Sequence, residues 1–170
     1  MNISRGRKMA RFIGHLSVIL LSLWLLNGCG GSLPFVGGEE EPKITKLKFK
    51  AGEKVNPDPN GTPLPVVVRI HELSSRTLFD ANDFFSLYEK PEEILGADLI
   101  NKEEFEFTAG KSLTHDRELN SNTRFIGILV AYRDIDNARW RAVIKVNPKE
   151  DKTFLIALDN ITIYTEELEE

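Results

Sequence analysis

In "ITKLKFK", residues 44–50, Thr45, Leu47 and Phe49 alternate with Lys46, Lys48 and Lys50. A two-residue period sends one set to each face of an extended strand. The same period returns through most of the chain, and it constrains the fold more than any other feature. The lysines of this first strand mark it as an edge-like one with a solvated outer face. "PVVVRIHEL", residues 65–73, is a second strand, with Pro65 at the first position, where a missing N–H is tolerated. "EEFEF", residues 103–107, is a short third, with Phe105 and Phe107 on one face, and "KSLTHDREL" a fourth. "TRFIGILVAYR", residues 123–133, is apolar on both faces and is expected at the centre of a sheet. In "RWRAVIKV" Trp140, Ala142, Ile144 and Val146 face one way, and Arg139, Arg141 and Lys145 the other. "TFLIALDNITIYTEE" adds one or two more strands. About seven or eight strands with frequent turn signals predict an all-β fold, a β-sandwich. Phe84, Phe125 and Trp140 are expected in one continuous interior.

One segment departs from the period. In "TLFDANDFFSLYEKPEEILGADLI", residues 77–100, Ala81, Phe84, Phe85 and Tyr88 recur at helical spacing behind Asp80, an N-cap candidate. Pro91 ends that helix and opens a second, with Glu92 and Glu93 in its first turn and Gly96 at its end. Two short helices between the second and third strands follow, with their aromatic stripe packed over one end of a sheet.

The front of the chain has a different composition. Arg5, Arg7, Lys8 and Arg11 precede residues 12–26, an apolar run broken only by His15. That run of about fifteen residues matches a secretory h-region and is short of the ~20 needed to span a bilayer. It ends in Leu26-Asn27-Gly28-Cys29, which holds the chain's only cysteine. The tetrapeptide resembles the bacterial lipobox, although Asn27 is an unusual occupant of its position. In that reading residues 1–28 are a lipoprotein signal peptide. Cys29 is the nucleophile that takes a diacylglycerol and, once it is the new N-terminus, an N-acyl chain such as palmitate. The rival is an uncleaved anchor over residues 12–26 with Cys29 incidental; a disulfide within the chain would need a second cysteine. One acyl chain binds a bilayer only marginally, at ~0.8 kcal/mol per buried CH₂, and several together attach firmly. Gly30, where an Asp commonly retains lipoproteins at the inner membrane, points to the inner leaflet of an outer membrane, facing the periplasm. Residues 29–42 then form the lipidated cysteine and a linker, "GGSLPFVGGEEEP", of flexible composition. Such a linker extends at most about 50 Å and as a coil nearer 20 Å. Residues 43–170 form the domain, ending in a tail "EELEE".

The whole chain carries 22 Lys and Arg against 26 Asp and Glu. Loss of residues 1–28, with four basic and no acidic side chains, would bring the net charge from −4 to about −8. That sign argues against nucleic acid and against electrostatic adhesion to anionic lipid. No cofactor or metal is implied: His71 and His115 lack a metal-ligand spacing, and no catalytic sequence motif is present. Asp134 and Asp136 in "RDIDNAR" are the nearest thing to an acid/base pair. Their place between two strong strands reads equally as a hairpin turn rich in Asp and Asn, so the chain is not expected to be an enzyme.

A binding surface remains. "VNPDPNGTPLP", residues 55–65, joins the first two strands and holds four prolines in eleven positions. Asp58-Pro59-Asn60-Gly61 suits a β-turn, with Pro59 second and Gly61 fourth. A stiff loop loses less entropy on docking; a plain solvated connection has the same composition.

"LPVVVRIHELSS", "ANDFFSLYEKPEEILGADLI" and "TRFIGILVAYRDIDNARWRAVIKV", in this order behind a lipobox, resemble the TssJ family, the outer-membrane lipoproteins of the bacterial type VI secretion system. The likeness covers residues 44–164, and His71 stands where an aromatic is common. It implies a transthyretin-like β-sandwich with a small helical insertion. It implies a structural role: anchoring the trans-envelope complex by binding the periplasmic C-terminal part of the inner-membrane protein TssM. It also implicates the loop between the first two strands, here Asn56, Pro57, Asp58, Pro59, Asn60, Gly61, Thr62, Pro63 and Leu64. The soluble domain alone is expected to be a monomer. A stand-alone lipid-tethered periplasmic module, an inhibitor or ligand carrier, is the alternative; a deep apolar pocket between the sheets would mark a carrier.

Overall fold

The computed structural model describes residues 41–169, so Cys29, the signal segment and most of the linker lie outside the described residues. Eight strands form two four-stranded sheets. They are β1 (Ile44–Ala51), β2 (Val66–Leu73), β3 (Leu99–Phe107), β4 (Ser112–Glu118), β5 (Phe125–Ala131), β6 (Arg141–Lys145), β7 (Lys152–Asp159) and β8 (Thr162–Leu168). One sheet has the order β4-β1-β7-β8 and the other β3-β2-β5-β6. All pairings are antiparallel except β1 with β7.

The two inner faces meet in a filled core. Leu47, Phe49, Ile156 and Leu158 from the first sheet pack with Val68, Ile70, Ile126, Ile128 and Val130 from the second. These are alternate residues of their strands, as a two-residue period requires. Among the described residues these side chains form one buried cluster, which favours a scaffold over a carrier.

The order of β1 differs from expectation. It is not an edge: β4 lies on one side and β7 on the other. The lysines cover the outer face of a one-sided sheet, and a solvated face gives the same alternation as a solvated edge. β3 is also longer than its "EEFEF" core, running nine residues from Leu99. β5 does lie inside its sheet, between β2 and β6.

The reason β5 is apolar on both faces lies in the insertion. Three short helices, not two, follow β2: α1 (Thr77–Ala81), α2 (Phe84–Glu89) and α3 (Pro91–Leu95), then a 3₁₀ turn (Gly96–Asp98). They cover the outer face of the second sheet rather than its end. Phe79, Phe84, Leu87 and Leu95 pack with Leu73 and Leu129 in a second core. Burying Phe79 fully is worth about 2–3 kcal/mol. The aromatic ring lies on β5 at Gly127, where a Cβ would come within 2.9 Å of it. The glycine inside this strand is therefore a contact requirement.

Asp80 is not the cap. It lies within α1 and pairs with Arg76 at 2.5 Å. Asp83 caps α2, its carboxylate accepting from Ser86 N at 3.0 Å and Ser86 Oγ at 2.7 Å. Pro91 opens α3 with Glu92 and Glu93 in the first turn. Of the predicted stripe Phe84 is buried, whereas Phe85 is 57% exposed.

The single interior expected for Phe84, Phe125 and Trp140 is thus two layers separated by a sheet. Phe84 and Phe125 belong to the outer one, and half-buried Trp140 touches both. Its ring meets Phe84 edge-on at 5.5 Å.

The two ends of the sandwich differ. At one, β1 leads into β2 through the proline-rich loop, with the β5–β6 and β7–β8 turns beside it. At the other, Ile44 N donates to Asp151 at 2.7 Å and Lys43 pairs with the same carboxylate at 3.1 Å. The chain therefore enters the domain at the end opposite the loop. β1, at ~3.3 Å per residue, separates the two by about 26 Å.

Candidate partner-binding loop

The base of the loop is buried and its tip is not. Val55 and Asn56 are enclosed, Asn56 being 4% exposed. Asn56 has a positive φ of 50° and uses its backbone and side chain as a junction. Its N–H donates to Asn160 O at 2.7 Å, and its carbonyl accepts from Leu64 N at 3.2 Å. Its side-chain amide donates to Pro65 O at 2.8 Å and accepts from Arg133 N at 2.7 Å. Arg133 Nε also donates to Pro57 O at 3.3 Å. One asparagine thus ties the loop to the ends of β2, β5 and β7, where a φ > 0 residue is tolerated because Asn visits that region.

Beyond the base the loop is a miniature hairpin. Pro57 and Pro63 form an isolated antiparallel bridge. Asp58 N donates to Thr62 O, and Gly61 N to Asp58 O, both at 2.9 Å. The second bond closes the β-turn expected from the sequence, with Pro59 and Gly61 in the positions expected. Gly61 takes φ 85°, which suits glycine. The Asp58 carboxylate accepts from Asn60 N and Thr62 N, both at 2.8 Å, an Asx-type cap on the turn. The backbone bond from Thr62, followed by the other hydrogen bonds, holds the Asp58 carboxyl below its ordinary pKa. Pro59, Asn60, Gly61, Thr62 and Pro63 are exposed. The tip is therefore accessible and preorganised, the combination that lowers the entropy cost of association.

Of the nine loop residues read from the sequence, the structure brings Pro57–Leu64 together in the exposed hairpin and uses Asn56 beneath it. Arg133 and Asn160 were missed. Arg133 had a usable signal: β2 and β5 are antiparallel with Val67 opposite Ala131. That register carries Arg133 to the start of β2, where the loop ends.

The paired acids have turn roles. Asn137 Nδ2 donates to both oxygens of Asp134, at 2.9 and 3.2 Å, and Asp136 is exposed on the turn. Among the described residues no group of three or more His, Cys, Asp or Glu is arranged to hold a metal ion.

Residues 43–161 match the family described as "T6SS-SciN: Type VI secretion lipoprotein, VasD, EvfM, TssJ, VC_A0113". The chain belongs to the TssJ family of type VI secretion lipoproteins. The crystal structure of the T6SS lipoprotein TssJ1 from Pseudomonas aeruginosa is 30% identical, with TM-score 0.74 over 76% of this chain and 98% of that one. A chain of the structure described as the T6SS protein TssM C-terminal domain (869–1107) from EAEC is 26% identical, with TM-score 0.62 over 74% and 99% of the two chains. Serratia marcescens Lip, a membrane-bound component of the type VI secretion system, shares the fold at 24% identity and TM-score 0.67, over 74% and 98%. No curated protein matches the sequence. The TssJ β-sandwich is the fold of this chain, and the family is one of type VI secretion lipoproteins.

Proposed function

We propose that this TssJ-family chain anchors the type VI envelope complex from the inner leaflet of the outer membrane. Lipids on Cys29 hold it there, and the loop of residues 56–64 binds the periplasmic C-terminal part of TssM. The observation that carries the reading is the stapled hairpin tip, exposed and rigid at the end of the sandwich farthest from the point where the chain enters. The likeness to a chain of the structure described as the TssM C-terminal domain supports TssM as the partner.

Replacement of residues 57–63 by a short Gly-Ser linker tests the contact. Asn56 and Leu64 are kept, because the former holds the loop's base. The variant should melt near the parent and bind a TssM periplasmic fragment at least tenfold more weakly, about 1.4 kcal/mol, by titration calorimetry. Unchanged affinity in a folded variant would move the interface elsewhere. The anchor is tested separately: Cys29→Ser should leave the chain unprocessed and out of the outer-membrane fraction. An outer-membrane Cys29→Ser chain that still supports secretion would refute the lipid's role.

A further inference from the structure

The net-acidic domain carries a basic groove between β6 and β8. Arg76, just before α1, Arg139, just before β6, and Arg141, the first residue of β6, line a cavity of about 370 Å³, with Asp80, Val143 and Thr165. Its floor is β6 and its far wall is β8, the last strand of its sheet. β8 lies beside β6, and just before β6 Arg139 bridges Thr162, with Arg139 N donating to Ile161 O at 3.0 Å and Ile163 N to Arg139 O at 3.1 Å. Past that bridge the exposed residues Tyr164, Thr165, Glu166 and Glu167 of β8 pair only with β7, so the strand's other edge is open along the groove.

The arginines keep donors free. Among the described residues the Arg139 guanidinium makes no hydrogen bond or ion pair. Arg141 spends only Nη1, on Phe79 O at 3.1 Å and Asn82 O at 3.0 Å, and its plane is fixed 4.9 Å from the Trp140 ring. Arg76 spends Nε on Asp80. Guanidinium forks fit carboxylates bidentately, and an unpaired strand edge offers the amides and carbonyls that an extended chain requires.

We propose that this groove is a second docking site, for an extended acidic segment of a partner protein laid along β8. Its carboxylates pair with Arg139, Arg141 and Arg76. Asp80 beside the arginines is already engaged by Arg76, and of the two β8 carboxylates farther along, Glu167 is paired with Lys152, so the positive balance is confined to the stretch of β8 around Thr165.

The test uses the full lipidated chain in neutral detergent micelles and a fluorescein-labelled peptide of alternating Glu and Val. Anisotropy should show saturable binding that weakens with salt, while the same peptide with Lys for Glu does not bind. Arg76→Gln/Arg139→Gln, which spares the Arg141 bonds that support the insertion, should weaken binding at least tenfold. A photo-crosslinking version of the peptide should label β8 around Thr165. The loop-replacement variant should bind the peptide as the parent does, so this proposal and the TssM contact fail separately. Absence of saturable binding, equal binding of the Lys peptide, unaltered affinity in the double variant, or labelling elsewhere would overturn it. Displacement of the peptide by inorganic phosphate or anionic vesicles as readily as by unlabelled peptide would reduce the groove to a simple anion site and also overturn it.

Discussion

Glu72→Ala should destabilise the domain by about 3–5 kcal/mol in urea unfolding, a large share of the 5–15 kcal/mol that holds a domain of this size. Glu72 is on β2 and Arg117 on β4, so their ion pair links the two sheets, and both are buried. Arg117 Nη2 also reaches Glu103 on β3 at 2.9 Å, and His115 Nε2 lies 2.8 Å from the same carboxylate. The second Glu72 oxygen accepts from Thr123 Oγ1 at 2.8 Å and Asn120 N at 3.4 Å. The desolvated guanidinium already has two nitrogens, Nε and Nη1, without acceptors. Removing Glu72 takes away its most enclosed counter-charge, and the uncompensated charge is the source of the loss. Glu72→Leu/Arg117→Met removes both charges and should be much milder than the sum of the single variants. A single variant that unfolds like the parent would show that water reaches the pair and that its burial contributes little.

The cluster also shows where sequence reading stops. "RIHEL" is a strand by its apolar residues, and nothing local marks Glu72 as interior, because its partner lies 45 residues away. The same limit applies to the loop. Its turn chemistry is local: Asp58, Pro59 and Gly61 specify their own conformation, and the turn forms as read. Its fixation is not local, since Asn56 finds its partners in Arg133 and Asn160. Alternation located the strands because burial on one face is a property of each strand alone. It could not order them, so the lysine face of β1 was read as an edge. Helical spacing found the insertion, but Asp80 and Asp83 are both suitable caps, and local spacing does not choose between them. Trp140 was assigned to one interior because alternation gives it a face without saying that a second layer covers the other face.

The pH dependence of stability should carry the signature of His71. The imidazole lies on β2 beneath the insertion, fully buried, its ring 5.6 Å from Phe79. Neither nitrogen makes a hydrogen bond of good geometry, although the Gly127 backbone lies near enough to favour the protonated ring. Burial, and next the charge of Arg69, push its pKa down from 6.5 to about 4, against the opposing Gly127 backbone and with smaller effects of Lys102 downward and Glu92 upward. The unfolded chain therefore takes up a proton that the folded one refuses. Stability contributed by the neutral ring is complete above pH 6.5 and is lost as the pH falls toward 4, by about 3 kcal/mol across the window. Asp83, Glu92 and Asp151, whose pKa values are lowered by hydrogen bonds, lose their contribution only at still lower pH, as it falls through the carboxylate range. Urea midpoints between pH 7 and 4.5 thus isolate the histidine. His71→Phe, an aromatic of similar shape and without the proton, should flatten the curve over that interval whatever its effect at pH 7. The slope, not the absolute stability, is the readout, because the extra ring atom must fit against Phe79. His71→Gln gives a second non-titrating variant should Phe pack badly. If both variants retain the parent's loss of stability between pH 6.5 and 4.5, the buried imidazole is not the group that senses it.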